Sequence, residues 1–220
     1  MEISQIISQS KEIQDWIVEK RRIIHRNPEL MYEEFETSKL VQNTLEDLDI
    51  PFEKDIAVTG VVGTIGNGKD PCIALRADMD ALPIHEQADV EFRSEIDGKM
   101  HACGHDCHTA MLLGAARVLK KNESSIEGTI KLIFQPAEEG GAGGKMMKEQ
   151  GVLEKPKVQQ IYALHVAGTM PMGTLSSKEG TLLAATSSIK IVVSGKGGHA
   201  AAPHHTIDPV VTGSKIIVEL

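Results

Sequence analysis

The sequence predicts an α/β fold, followed near the C-terminal end by the start of a second domain. Short apolar runs bounded by Gly, Asn and Pro are typical of buried strands. Between them lie segments whose apolar residues recur at helical spacing. Such alternation implies βαβ units and a largely parallel sheet. From Gly173 to Thr186 the pattern breaks into small and polar residues, which suits a domain crossing.

The individual elements follow from these patterns. Helical spacing predicts helices over residues 3–24, 33–48, 106–119, 143–150 and 206–220. Apolar runs predict strands over residues 57–65, 72–77, 129–134 and 160–165. Residues 188–194 partly alternate apolar and polar side chains, which predicts a half-buried strand. We expect the first domain to span residues 1–180 and the second to begin within 181–220.

Composition excludes several classes of function. The 220 residues are 41% hydrophobic, enough for one sizeable core or for one domain plus part of another. The net charge is -8 and no Lys/Arg cluster offsets it, so nucleic acid and anionic membranes are poor partners. Three Cys argue against a disulfide framework, and no signal peptide or membrane-length segment is seen. We therefore expect a cytoplasmic protein.

The segment from His101 to His108 carries the strongest chemical indication. Its eight residues include three His, two Cys and one Asp, and these side chains bind Zn²⁺, Mn²⁺ and similar ions. Cys103 and His105 lie two apart in an irregular stretch, where both can face one site. A loop of surface His with a buried Cys is an alternative that the high density of ligand-type residues disfavours. A redox pair of Cys103 and Cys107 is a weaker alternative, because its spacing is one longer than Cys-x-x-Cys.

Two acidic motifs also follow predicted strands. Glu138 and Glu139 are successive residues that face opposite ways in extended chain, so one is suited to ligate a metal and the other to act as general base. Taken alone, the pair is more simply a charged turn opening a helix, but the glycine-rich stretch after it shifts the balance toward a ligand site. Asp78 and Asp80 either orient or bind metal, or form a strand-end turn.

Two further histidines are candidates by position. His165 ends a predicted strand, level with the other motifs, in the place where α/β sheets assemble their sites. His199 lies in a loop shaped by glycines on one side and Ala-Pro on the other, and a His there can hydrogen-bond an oxyanion. Taken alone, each is more simply a structural or surface His.

In these motifs the sequence resembles the M20 family of two-metal peptidases, in its amidohydrolase branch. That branch includes hippurate hydrolases, N-acyl-amino-acid amidohydrolases and plant hydrolases of indole-acetic-acid–amino-acid conjugates. Met-His-Ala-Cys-Gly-His-Asp is a specific signature, and Asp78-x-Asp80 replaces the His-x-Asp of other branches. The resemblance spans nearly the whole chain, through residues 25–30, 76–84, 98–108, 135–140, 164–165 and 197–200.

The resemblance implies a zinc-exopeptidase-like three-layer catalytic domain, here incomplete, with the start of an α+β lid. It implies that the metal ligands are Cys103, His105, Glu139 and His165. Glu138 becomes the general base that activates the water and passes its proton to the leaving amine. Asp80 supports the site from behind the ligands, and His199 on the lid stabilises the oxyanion. Two divalent ions are expected, Mn²⁺ or Zn²⁺, with Co²⁺ or Ni²⁺ compatible with the same donors.

The implied reaction is hydrolysis of the amide bond of a small N-acyl amino acid. Family chains are commonly nearly twice as long, and their catalytic domain resumes after the lid to supply one more His ligand. On this resemblance we expect the 220-residue chain alone to bind metal weakly and to have little activity, and a full-length form to dimerise through the lid. The alternatives are a non-catalytic metal-binding fragment and a peptidase of the same family acting on dipeptides.

Overall fold

The fold is given by a computed structural model, which describes residues 2–185 and 189–220. The chain divides into two compact units, Met1–Thr169 and Met170–Leu220. This division falls earlier in the chain than the expected boundary at 180/181. The catalytic and lid roles of the two parts stay predictions.

The first unit contains a five-stranded sheet in the order β1-β2-β4-β3-β5. The strands are β1 Phe52–Ile56, β2 Gly60–Gly66, β3 Cys72–Asp78, β4 Thr129–Gln135 and β5 Gln160–Ala163. The helices are α1 Ile3–Glu12, α2 Gln14–Arg26, α3 Phe35–Asp47, α4 His105–Lys121 and α5 Gly143–Glu149. The α/β class predicted from the sequence is therefore confirmed.

The expectation of a largely parallel sheet is wrong for half of the strand pairs. β3 is parallel to β4 and to β5, whereas β2 is antiparallel to β1 and to β4. Ala57 and Val58, at φ 50° and 80°, make a tight turn between β1 and β2. A connection this short can join only antiparallel neighbours. The apolar run over residues 57–65, predicted as one strand, therefore consists of this turn followed by β2.

Two apolar clusters show that helices cover both faces of the sheet. Side chains alternate along the central strands, so that Leu132 faces one cluster and Ile133 the other. The larger cluster joins the sheet to α3 and α4 through the buried residues Val41, Leu45, Leu112, Leu113, Ala116, Val61, Ile65, Leu132 and Phe134. The smaller cluster joins it to α5 through Met147. The result is the three-layer arrangement that the resemblance implies.

The predicted helices are confirmed with shifted ends, except that residues 3–24 form two helices. α1 and α2 meet at Ile13, which takes a non-helical backbone conformation. β1 was missed because its three central residues, Glu53, Lys54 and Asp55, are charged and exposed. Among the helices within residues 2–185 and 189–220, none combines the length and apolar character needed to cross a bilayer.

The second unit contains the helix α6 Pro209–Glu219. Asp208 begins it by accepting a hydrogen bond from the backbone N–H of Val210 at 2.8 Å. The strand predicted over residues 188–194 is absent from 189–194, and Ser188 lies outside the described residues. A strand requires a hydrogen-bonded neighbour, and the described part of this unit offers only an isolated bridge between Lys196 and Ile207.

A buried ion network fastens α2 to α4. The Asp106 carboxylate, 0% exposed, accepts hydrogen bonds from Arg21 Nε at 2.6 Å and from His25 Nδ1 at 2.7 Å. His25 Nε2 lies 3.1 Å from Glu86 Oε1, so both ring nitrogens face carboxylates. The Asp106 hydrogen bond, opposed by burial and helped by Glu86, raises the pKa of His25 above its ordinary value. The network therefore favours the imidazolium form.

Replacing His25 with Gln is expected to destabilise the chain more at pH 5.5 than at pH 8.5. Because the folded-state pKa of His25 is raised, its contribution is fully present below the unfolded value of 6.5 and is lost as pH rises through the folded value. Hydrogen bonds to charged groups contribute about 2 kcal/mol, which sets the expected loss at pH 5.5. Denaturant unfolding at the two pH values measures it.

The matched control is His85→Gln, since His85 pairs with Asp97 at 2.7 Å but its side chain is 61% exposed. Solvent screens that pair, so we expect little loss at either pH. An equal loss at both pH values in His25→Gln would contradict the charged state assigned to His25.

Candidate metal centre

The candidate ligands lie where the parallel strands end. Asp78 closes β3, Glu138 and Glu139 follow β4, and His165 follows β5 by two residues. The three strands are neighbours and run in the same direction, so their carboxyl ends meet at one edge of the sheet. The first turn of α4 brings His105 to this edge. The motifs separated in sequence therefore converge at one place.

His105 lies at the centre of the cluster and is fully buried. Its Nδ1 is 2.8 Å from the backbone oxygen of Asp80 and 3.2 Å from Asp80 Oδ1. A carbonyl oxygen only accepts hydrogen bonds, so Nδ1 carries a proton, and in the neutral ring Nε2 keeps the lone pair. Nε2 has no hydrogen-bond partner in the described residues. A buried lone pair without a partner is the state that a metal ligand requires.

Cys103 and His165 approach each other beside His105. Their Sγ and Nε2 atoms are 3.4 Å apart, and His165 Nδ1 lies 2.7 Å from the backbone oxygen of Val166. That contact places the proton of His165 on Nδ1 and directs the lone pair of Nε2 toward the thiol. The ligand atoms of Cys103, His105 and His165 all lie within 4.8 Å of one another. Three donors of the type preferred by Zn²⁺ thus share one position.

The acidic pair forms a second group with His105. The ligand atoms of His105, Glu138 and Glu139 also fall within 4.8 Å of one another. Glu139 Oε1 is buried, has no hydrogen-bond partner in the part of the chain described, and lies 3.9 Å from His105 Nε2. Glu138 is exposed. The buried Oε1 of Glu139 therefore lies near His105, while the neighbouring Glu138 is accessible to a substrate.

Burial and the neighbouring carboxylates raise the pKa of the Cys103 thiol to about 12. Burial acts first, followed by a hydrogen bond to Glu139 and the charges of Glu139, Asp78 and Glu138. A thiolate at this position therefore needs a nearby positive charge. A divalent cation supplies such a charge and deprotonates a coordinating thiol. The donors and their unpartnered atoms fit a metal site.

Asp80 connects two of the predicted ligands. Besides its contact with His105, its Oδ2 accepts a hydrogen bond from the backbone N–H of Glu139 at 2.9 Å. Burial alone would raise the pKa of Asp80, but the bonds from His105 and from the Glu139 backbone lower it. Asp80 is therefore an anion that bonds both His105 and the Glu139 backbone, and its supporting role behind the ligands stays a prediction.

His108 and Asp78 could form a third metal-binding group with His105, but their own polar atoms already have hydrogen-bond partners. His108 Nδ1 lies 2.6 Å from Asp78 Oδ1, and its Nε2 accepts a hydrogen bond from the backbone N–H of Val166 at 2.9 Å. Arg76 Nη1 bonds the second oxygen of Asp78 at 2.6 Å. Both nitrogens of His108 are used, so this pair supports the β3 and β5 ends and leaves His105 as the free donor.

A glycine is required between the two ligands of the central motif. Gly104 has φ 85°, and a Cβ there would lie 2.3 Å from Val166 Cγ2. A larger residue would therefore strain the backbone and push the β5 end away. This turn allows Cys103 and His105 to face the same point although only one residue separates them.

The remaining candidates lie outside this group of donors. Cys103 and Cys107 are both free thiols, which leaves the redox alternative without a disulfide among the described residues.

Burial lowers the pKa of His101 to about 4, so this buried ring is neutral. His199 lies in the second unit, where its Nδ1 accepts a hydrogen bond from the backbone N–H of Ala201 at 3.1 Å. Its role at an oxyanion stays a prediction.

The sequence analysis missed the partners that hold these groups. Arg76 and the engagement of His108 with Asp78 were not predicted, although His105 and His108 are three apart in a helix and so share a face. The Arg21–His25–Asp106 network was also missed, although Arg21 and His25 are four apart on α2. Glu34 bonds the backbone N–H of Ala137, just before Glu138. Its place in the sequence, near the start of a helix, did not indicate this contact.

The comparisons with known proteins identify the family of the chain. Residues 74–218 match the family described as Peptidase family M20/M25/M40. The chain is 53% identical over 97% of its length to IAA-amino acid hydrolase ILR1-like 5 of Arabidopsis thaliana, covering 49% of that protein. It is 52% identical over 94% of its length to Thermostable carboxypeptidase 2 of Saccharolobus solfataricus, covering 53% of that protein.

A solved structure shares the fold. It is the YXEP protein of Bacillus subtilis, titled a dinuclear metal binding peptidase from the M20 family, with 42% identity and a TM-score of 0.73. The similarity covers 77% of this chain and 47% of that one. The chain thus spans about half the length of these relatives. The match over residues 74–218 confirms the family that the motifs predicted: the chain belongs to Peptidase family M20/M25/M40, in its amidohydrolase branch.

Proposed function

We propose that the first unit carries the metal centre of an amidohydrolase that cleaves the amide bond of N-acyl amino acids. One observation supports this most strongly. Donor atoms of Cys103, His105 and His165 form one cluster, those of His105, Glu138 and Glu139 form another, and one atom each of His105 and Glu139 is buried without a hydrogen-bond partner in the described residues. The name of the Arabidopsis relative, an IAA-amino acid hydrolase, supports a conjugate of an acid with an amino acid as substrate.

The proposed ligands are Cys103, His105, Glu139 and His165. His105 belongs to both the thiol–imidazole group and the acidic group, which is compatible with two ions placed close together. The dinuclear centre named for the YXEP protein supports that number. Mixed thiol, imidazole and carboxylate donors suit Mn²⁺ or Zn²⁺, and also Co²⁺ or Ni²⁺.

Glu138 performs the proton transfers in this proposal. Divalent ions held by these ligands would polarise the amide carbonyl and lower the pKa of a water. The exposed Glu138 carboxylate accepts a proton from that water and later donates it to the leaving amine nitrogen. Asp80 keeps His105 and the Glu139 backbone in place during these steps. His199 is proposed to stabilise the oxyanion from the second unit.

Two alternatives have specific support. The carboxypeptidase relative, at nearly the same identity, favours peptides as substrates of the same centre. The chain spans about half the length of these relatives. This favours the alternative of a metal-binding fragment that does not turn over substrate by itself. Dimerisation through the second unit and a cytoplasmic location remain part of the proposal.

Cobalt binding tests the ligand set without requiring activity. Titration of the metal-free chain with Co²⁺ is expected to produce a sulfur-to-cobalt charge-transfer band in the near ultraviolet, because Cys103 donates its thiolate. Cys103→Ser is expected to remove the band and to weaken binding by at least about tenfold. Cys107→Ser is the matched control, since Cys107 is a free thiol nearby in α4, and it should keep both. A band that survives in Cys103→Ser excludes the ligand assignment.

Glu138→Gln tests the base. We expect it to retain metal and to lose turnover by about a factor of 100 or more, because the amide cannot accept the proton. Hydrolysis of N-acetyl amino acids and of dipeptides is measured in parallel with Glu149→Gln, an exposed change on α5 that should behave as the parent chain. Faster cleavage of dipeptides supports the peptidase alternative. Absence of turnover in the metal-loaded parent chain supports the binding-only alternative.

A further inference from the structure

We infer that residues 29–34, here called the strap, hold the Glu138–Glu139 loop in its working position, with Glu34 and Tyr32 as positioning residues. This inference rests on the proposed function for the roles of Glu138 and Glu139. Neither the strap nor its contacts belong to the ligand set. Three sets of contacts and the conformation of the loop itself indicate this role.

Glu34 bonds the loop just before the acidic pair. Its side chain is 0% exposed, and Oε1 accepts a hydrogen bond from the backbone N–H of Ala137 at 2.8 Å. Its other oxygen, Oε2, accepts a bond from the hydroxyl of Thr59 at 2.5 Å. Ala137 is also 0% exposed, so its N–H would otherwise be a buried donor without water. The carboxylate therefore fixes the residue that precedes Glu138.

Tyr32 bonds the same loop just after the acidic pair. Its hydroxyl donates to the backbone oxygen of Gly141. A Cβ on Gly141 would lie 2.9 Å from Tyr32 Cε2, so the ring packs closely against this glycine. The two contacts enclose Glu138 and Glu139 from both sides along the chain.

The other end of the strap is attached to the loop that follows β3. The backbone N–H of Ala81 donates to the backbone oxygen of Glu29 at 2.7 Å, and Leu30 pairs with Ala81 as a bridge. Ala81 directly follows Asp80, whose carboxylate bonds the Glu139 backbone. The strap therefore joins the two loops that supply Asp80 and Glu139. Their relative position depends on it.

The loop needs external support because its backbone is strained. Ala137 and Ala142 have φ values of 51° and 56°, in the left-handed region that residues with a Cβ rarely adopt. Such residues persist only where the surroundings hold them. The two alanines lie on either side of the acidic pair, close to the points that Glu34 and Tyr32 bond. Loss of either bond is expected to release the loop toward ordinary conformations and to displace Glu139.

The experiment measures Zn²⁺ affinity by chelator competition, together with the unfolding of each metal-free chain. Glu34→Ala is expected to weaken Zn²⁺ binding about tenfold, as do other losses of groups that orient ligands. Glu34→Gln should restore binding to within about threefold, because its amide oxygen accepts from Ala137 and its amide N–H donates to Thr59. Tyr32→Phe, which keeps the ring, should weaken binding about threefold.

Thr59→Val is the matched control for stability. It removes the other hydrogen bond to the Glu34 carboxylate. That bond comes from a residue just before β2 and not from the Glu138–Glu139 loop. We expect it to destabilise the chain while Zn²⁺ affinity stays within about threefold of the parent. An unchanged affinity in Glu34→Ala overturns the inference. A loss of Zn²⁺ affinity in Thr59→Val as large as that in Glu34→Ala also overturns the inference. If Glu34→Ala does not fold, unchanged affinity in Tyr32→Phe overturns it.

The two proposals fail differently in this assay. If Cys103→Ser and Glu139→Gln bind Zn²⁺ as tightly as the parent, the proposed metal centre is wrong. If those two variants lose affinity but Glu34→Ala and Tyr32→Phe do not, the metal centre stands and the strap has no positioning role.

Discussion

The hydrogen bond from His105 Nδ1 to Asp80 is the interaction on which the site depends. It fixes the tautomer of a fully buried imidazole and leaves the lone pair of Nε2 facing the other donors. The same Asp80 carboxylate bonds the backbone of Glu139. One anion at the end of β3 therefore sets the orientation of a histidine from α4 and of a carboxylate from the loop after β4.

The buried charges around this bond are balanced by neighbours, and this balance explains how they remain in a protein interior. Asp78 lies between Arg76 and His108, and burial is outweighed by these partners, so its pKa is held well below its usual range. Asp106 is balanced by Arg21 and His25. Unpaired buried charges are costly, so removal of one partner leaves the other exposed to the full penalty. Among the described residues, buried side-chain atoms without a hydrogen-bond partner belong to His101, His105, Asp106 and Glu139, and two of these residues are in the proposed ligand set.

The sequence was sufficient to predict the motifs that carry the chemistry. It was not sufficient to predict the hydrogen bonds that hold these motifs in place. Strands β3 and β4 could be predicted because continuous apolar runs are typical of buried central strands, and the segments that follow them carry the chemistry. β1 could not, because Glu53, Lys54 and Asp55 give it a polar surface. Long-range bonds such as Glu34 to Ala137 and Arg21 to Asp106 join residues far apart in the chain, and a single sequence carries no periodicity that would reveal them.

The central claim is that a thiolate from Cys103 and imidazoles from His105 and His165 bind the same divalent ion. X-ray absorption spectroscopy of the Zn²⁺-loaded chain tests it most directly, because sulfur and nitrogen scatter at different distances from the metal. The account predicts a sulfur shell at about 2.3 Å together with nitrogen or oxygen at about 2.0–2.1 Å. A spectrum with nitrogen and oxygen neighbours alone, and no sulfur shell, would contradict it.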